Sequence, residues 1–188
     1  ILSVESVRFP LTGIGRYTYE LASRLQHAEE ISELRLFAGR KFLPELVSPS
    51  DQSDAVHGLK RFVQKNALAV EVYRRLMPIL RKQALRGHED FIYHSTNFYL
   101  PPFAGPRVAT FHDLSPFTWA HCHTPQIARY LQKELTQSLK RADALITVSH
   151  CMRQELADYF NWPLDRIHAV PLASSPQFPP RSPADLRE

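Results

Sequence analysis

Short unbroken apolar runs alternate along the chain with longer stretches in which apolar residues recur every three or four positions. The runs are Leu2–Val7, Leu34–Ala38, Phe91–His94, Val108–Phe111, Leu145–Val148 and Ile167–Val170. They are continuous rather than alternating, the pattern of strands buried on both faces of a parallel sheet. Between them the 3.6-residue period predicts helices. The first runs from about Gly15 to Gln26, with Ile14, Tyr17, Leu21 and Leu25 on one face. A long one or a pair occupies Leu59 to Leu85, where Pro78 is expected to kink or divide it. Another opens at Thr124-Pro125, a capping residue followed by a proline at the first helical position, with Ile127, Leu131, Leu135 and Leu139 facing inward. The last runs from Ser149 to near Asn161, with Pro163 as a stop. Strands alternating with helices predict an α/β fold, a Rossmann-like parallel sheet flanked by helices. Residues 1–172 read as this domain. Residues 173–188 are Pro-rich and read as a linker toward a further domain.

Composition leaves this picture standing. The 188 residues are 44% hydrophobic and 22% charged, enough for a sizeable core without staples. Two cysteines are too few for a disulfide scaffold, so a reduced, cytoplasmic setting is expected. No apolar run is long enough to span a bilayer. The net charge of +4 admits sugar nucleotides, nucleic acid or anionic lipid as partners and selects none. Its distribution says more. Residues 58–86 hold eight Lys and Arg against Glu71 alone, interleaved with apolar residues. That stretch suits either a solvated helix face or an anionic membrane surface.

Candidate chemistry gathers where strands end. In LTGIGRYTYEL, Gly13 and Gly15 precede a helix start, where free N–H groups and the helix dipole favour a phosphate, with Arg16 beside them. The dinucleotide fingerprint needs glycine or alanine at 18, and Thr18 stands there; Gly39-Arg40 replaces the acidic residue that would hold a ribose. NAD is disfavoured, and an NADP-linked oxidoreductase using Arg40 meets the same objection. Ligands of parallel sheets sit beyond the carboxyl ends of strands. His112 and Asp113 lie at one such end, His94 and Asn97 at another, Ser149 at a third. Each also suits a local role: Ser149 as a helix cap, Asp113 as a loop cap. His112 is assigned to function. The adjacent His121, Cys122 and His123 lack the spacing of a zinc site, so no metal is expected.

The ordered series LTGIGRYTYEL, HSTNFYLPP, VATFHDLSPF, ADALITVSHCMRQEL and DRIHAVPLA resembles the N-terminal half of the family-four retaining glycosyltransferases of GT-B architecture, mannosyltransferases of polysaccharide assembly above all. The resemblance spans about Ile1 to Pro180 and is weakest from Lys41 to Gly87. It implies an acceptor-side domain that faces its own C-terminal domain across a cleft, is inactive alone, and completes the site for a nucleotide sugar, with GDP-mannose as the first guess. Implied partners are a glycan or lipid-linked acceptor and no nucleic acid. The implied location is the cytoplasm, peripheral at the inner face of the plasma membrane. The implied roles are His112 near the transferred sugar, Gly13, Gly15 and Arg16 against the donor diphosphate, and His94, Asn97, Asp113, Ser149 and Arg153 toward acceptor or sugar. Met152 departs from the pattern, where a hydroxyl residue is common. The residues alone also permit a non-catalytic binding module for anionic or phosphorylated ligands.

Overall fold

A computed structural model describes residues 1–47 and 67–174, with backbone alone over 67–74. Seven strands form one sheet in the order β3-β2-β1-β4-β5-β6-β7. They are β1 (Leu2–Ser3), β2 (Leu36–Phe37), β3 (Phe42–Leu43), β4 (Tyr93–Ser95), β5 (Arg107–Phe111), β6 (Ala144–Thr147) and β7 (Ile167–Ala169). All neighbours run parallel except β2 and β3, which form an antiparallel edge hairpin. Among the described residues the α-helices are α1 (Gly13–Leu25), α2 (Ala67–Ala84), α3 (Ser115–Thr118), α4 (Pro125–Arg141) and α5 (His150–Phe160).

The sheet separates two cores. On one face Phe37, Tyr93, Phe111, Leu145 and Ile167 pack with Leu135 and Leu139 of α4 and Leu156 of α5. On the other, Leu2, Val4 and Leu36 pack with Ala22 of α1. Neighbouring residues of β5 serve opposite faces, and Ala109 and Thr110 are both fully buried. That two-sided burial is why the strands read as continuous runs.

Several boundaries differ from the sequence expectation. β1 stops at Ser3 because the chain turns at once, with Val7 N–H donating to the Val4 carbonyl. Hairpin strand β3 has no apolar run of its own; it forms because Gly39, at φ +80°, reverses the chain beneath Glu5. Pro78 lies inside α2 without dividing it; the part of that expected helix before Ala67 lies outside the described residues. The inward stripe of α4 is Ala128, Leu135, Ser138 and Leu139, and Ile127 is half exposed. Ser138 turns inward because its Oγ accepts the buried Leu100 N–H at 2.9 Å.

Candidate functional site

The chain passes outward from β1 through β2 to β3, then returns to lay β4 on the other side of β1. This reversal leaves a crevice at the carboxyl ends of β1 and β4, where open α/β sheets bind ligands. Three loops meet there: Val4–Thr12 entering α1, Thr96–Asn97 after β4, and His112–Asp113 after β5. A hollow of about 130 Å³ is lined by Ile14, Asn97, Phe98, His112, Asp113 and Ser115 among others. The start of α1, the amide side chain at 97 and the imidazole at 112 therefore converge.

Thr12 caps α1, its Oγ1 accepting the Gly15 N–H at 3.2 Å. The first amides of a helix lack intrahelical acceptors, so this end keeps donors for an anion. The two glycines divide the work. Gly13 is exposed, and a Cβ there would meet nothing within 4 Å, so a ligand can reach its backbone. Gly15 is buried, and a Cβ there would lie 2.8 Å from the Ser6 carbonyl oxygen. Glycine at 15 thus serves packing against the β1–α1 loop, and its amide is engaged by the cap. Thr18, which replaces the third fingerprint glycine, is fully buried in a hydroxyl chain. Its Oγ1 lies 2.6 Å from Ser6 Oγ and 2.9 Å from Thr96 Oγ1, which donates to the Ser3 carbonyl at 2.9 Å. That chain ties α1 to the β1 and β4 tips.

The half-buried His112 extends the tie. Its Nε2 lies 2.9 Å from the Thr96 carbonyl oxygen, which can only accept, so the proton sits on Nε2 and Nδ1 remains for a ligand. Tyr17 meets the imidazole edge-on, centroids 4.9 Å apart at 85°. The Tyr17 hydroxyl lies 3.3 Å from Thr110 Oγ1, which also bonds His94 Nε2 at 2.9 Å. Burial raises the Tyr17 pKa above its ordinary value, so the phenol is neutral. Tyr17 also borders a second hollow of about 350 Å³, lined by Gly13, Arg16, Leu21 and residues 170–174. The Tyr17–His112 ring pair stands between the two hollows, and Arg16 is exposed on the rim of the second.

Other expected residues lie differently. His94 sits within β4, not beyond it, because the strand runs on to Ser95. It lines a separate hollow with Ile1, Leu2, Ile92 and Val108, toward the amino ends of the strands. Burial, the largest cause, lowers its pKa from 6.5 to about 4, so it is a neutral structural imidazole. Ser149 is at a strand end, but its Oγ caps α5 by accepting the Met152 N–H at 3.0 Å, and Met152 itself is buried. Arg153 points away from the hollow: Nε donates to the Ile167 carbonyl and Nη2 to the Leu164 carbonyl, both at 2.7 Å, clasping α5 to the entry of β7. Asp113 lines the hollow while its Oδ1 accepts the Ser115 N–H at 2.8 Å, bracing α3. Asn97 Oδ1 accepts the Phe98 N–H at 2.8 Å, which leaves its NH₂ to donate. Thr96, one of the polar residues expected at the end of β4 with Ser95 and Asn97, holds His112 through its carbonyl, whereas Thr110 of β5, which bonds Tyr17 and His94, was not singled out from the sequence. Among the described residues no three His, Cys, Asp or Glu side chains gather to hold an ion.

Residues 11–175 match the profile of Glycosyltransferase Family 4. Over 98% of its length the chain is 44% identical to the O-antigen chain mannosyltransferase B of Escherichia coli. It spans about half the length of that curated relative, 50%.

Proposed function

The chain belongs to Glycosyltransferase Family 4, and we propose that it is the acceptor-side domain of a mannosyltransferase of cell-surface polysaccharide synthesis. In this reading the whole enzyme has GT-B architecture. A C-terminal domain joined through residues 173–188 carries most of a nucleotide sugar, with GDP-mannose as first choice. The acceptor is a glycan or a lipid-linked glycan, met at the inner face of the plasma membrane. The convergence of Ile14, Asn97 and His112 on one hollow at the sheet's reversal point supports this most directly. The likeness to a mannosyltransferase of O-antigen chains points to the sugar.

Negative charge develops on the diphosphate as the sugar leaves, so donors fixed in advance around it lower the barrier. The open backbone of Gly13 and the cation of Arg16 suit that role. His112 suits the sugar end. Its Nε2 is held by Thr96 and its ring by Tyr17, so Nδ1 is presented without a reorientation cost. The NH₂ of Asn97 and the open carboxylate oxygen of Asp113 suit hydroxyls of the acceptor. Incubation of the full-length protein with GDP-mannose, UDP-glucose and UDP-galactose, each with a lipid-linked acceptor, tests the reading. Mannose transfer from GDP-mannose is expected. Transfer of another hexose alone would refute the donor assignment, and absence of any transfer would refute the enzyme assignment.

A further inference from the structure

The hollow that holds His112 is small, about 130 Å³. Liquid water fills such a space with roughly four molecules. One end of a glycan can enter it, and the rest of the glycan must lie on the surface outside. Helices α3 and α4 form part of that surface. Ser115 and Pro116 of α3 and Leu131 and Leu135 of α4 line the hollow. Gln132 pins the two helices together, its Nε2 donating to the Pro116 carbonyl at 2.7 Å. Residues 119–124 join them, so the end of α3 and the start of α4 lie at the same end of a helical hairpin.

One turn toward that end, each helix presents a large apolar side chain to solvent. The Trp119 N–H donates to the Ser115 carbonyl at 2.9 Å, which sets Trp119 one helical turn beyond Ser115. On α4, Ile127 stands one turn before Leu131. Trp119 is 60% exposed and Ile127 50%. Phe117, on the other side of α3, supplies the packing against α5 instead, its ring centroid 5.0 Å from that of Phe160. The backbone at Trp119 is fixed, because its carbonyl also accepts the Cys122 N–H at 2.9 Å. The indole meets the exposed His121 imidazole, centroids 5.6 Å apart at 49°. A flat apolar face with a hydrogen-bonding ring at its margin therefore continues outward from the hollow. A pyranose matches that pair. Its C–H groups settle on the negative face of an aromatic ring, and its hydroxyls need polar groups at the edge. A stable protein interface takes roughly 20–30 residues a side, far more than Trp119, His121 and Ile127 provide.

We infer that the Trp119 indole is a platform for the acceptor glycan, stacking on an inner sugar ring while the terminal ring enters the hollow. The inference rests on the reading of this domain as acceptor-side and adds the path the acceptor chain takes. The test is steady-state transfer from GDP-mannose by the full-length protein and its Trp119→Ala, Trp119→Leu and Trp119→Tyr variants. The acceptor is the lipid-linked glycan isolated from cells that lack the enzyme. The same glycan, released from its lipid by mild acid, is added as a competitor. Trp119→Ala should raise the acceptor KM about tenfold, with kcat and the GDP-mannose KM at the parent's values. Trp119→Tyr should recover most of that loss and Trp119→Leu should not, because stacking needs a ring. The released glycan should inhibit the parent, with its inhibition constant raised about tenfold in Trp119→Ala. Trp119 is exposed, so circular dichroism of the variants should match the parent. Transfer by the parent with an unchanged acceptor KM in Trp119→Ala would overturn the platform and leave the transferase reading standing. A Trp119→Leu variant equal to the parent would overturn stacking. A released glycan that does not inhibit, or inhibits parent and Trp119→Ala alike, would overturn the glycan as occupant in favour of the lipid. A raised GDP-mannose KM alone would overturn the acceptor role. No transfer by the parent would overturn the transferase reading and this inference with it.

Discussion

Acid should destabilise this fold through His94. Its imidazole is packed on the sheet and bonded to Thr110, and its folded pKa falls from 6.5 to about 4. The sign follows from proton counting. Between those two values the unfolded chain binds a proton at His94 and the folded chain does not, so the stability present above pH 6.5 is lost as pH falls toward 4. Below pH 4 both states are protonated and the loss is complete. The gap corresponds to about 3 kcal/mol, a large share of a typical domain's net stability. Carboxylates titrate in the same range, so the comparison must isolate the imidazole. Urea denaturation across pH 4 to 7 should be run on the parent and on His94→Gln, which keeps a hydrogen-bonding group beside Thr110. The parent should lose about 3 kcal/mol more than the variant. Parallel pH profiles would refute the assignment of His94 as a buried neutral base.

Two further substitutions probe the supports of the site. Thr18→Val keeps the shape but removes the central hydroxyl of the Ser6–Thr18–Thr96 chain; an expected loss of about 2 kcal/mol in urea midpoint analysis, with Thr18→Ser close to the parent, checks it. Arg81→Met removes the bidentate partner of Glu5. It leaves that carboxylate half-buried above Gly39, and should cost about 2–4 kcal/mol by thermal denaturation, with Glu5→Gln/Arg81→Met recovering part of the loss.

Much of this architecture is legible in the sequence. Two-sided burial writes itself as unbroken apolar runs, so β5, β6 and β7 were found nearly to the residue. Short strands set by tertiary pairing were not. β3 depends on Phe42 packing on Phe37, centroids 5.2 Å apart, and β1 ends where Glu5 leaves to meet Arg81. The convergence at the carboxyl edge was readable, because chain direction and strand order decide which tips share an edge. Which polar groups at that edge are already engaged was not. Ser149 and Arg153 have the right residue types in the right loop, yet a Met152 amide and two backbone carbonyls occupy them. A one-residue shift in the end of β4 moved His94 from a tip into the sheet. Periodicity placed Tyr17 on the inner face of α1 and gave no sign that its ring would meet His112.

The central claim is that the imidazole at 112 is presented to the sugar during transfer. The most direct measurement is steady-state mannose transfer from GDP-mannose by the full-length protein and its His112→Ala variant, with circular dichroism confirming the fold of both. The account predicts that the variant loses about a hundredfold or more in kcat/KM while its melting curve stays close to the parent's. Equal turnover by the two proteins would contradict it.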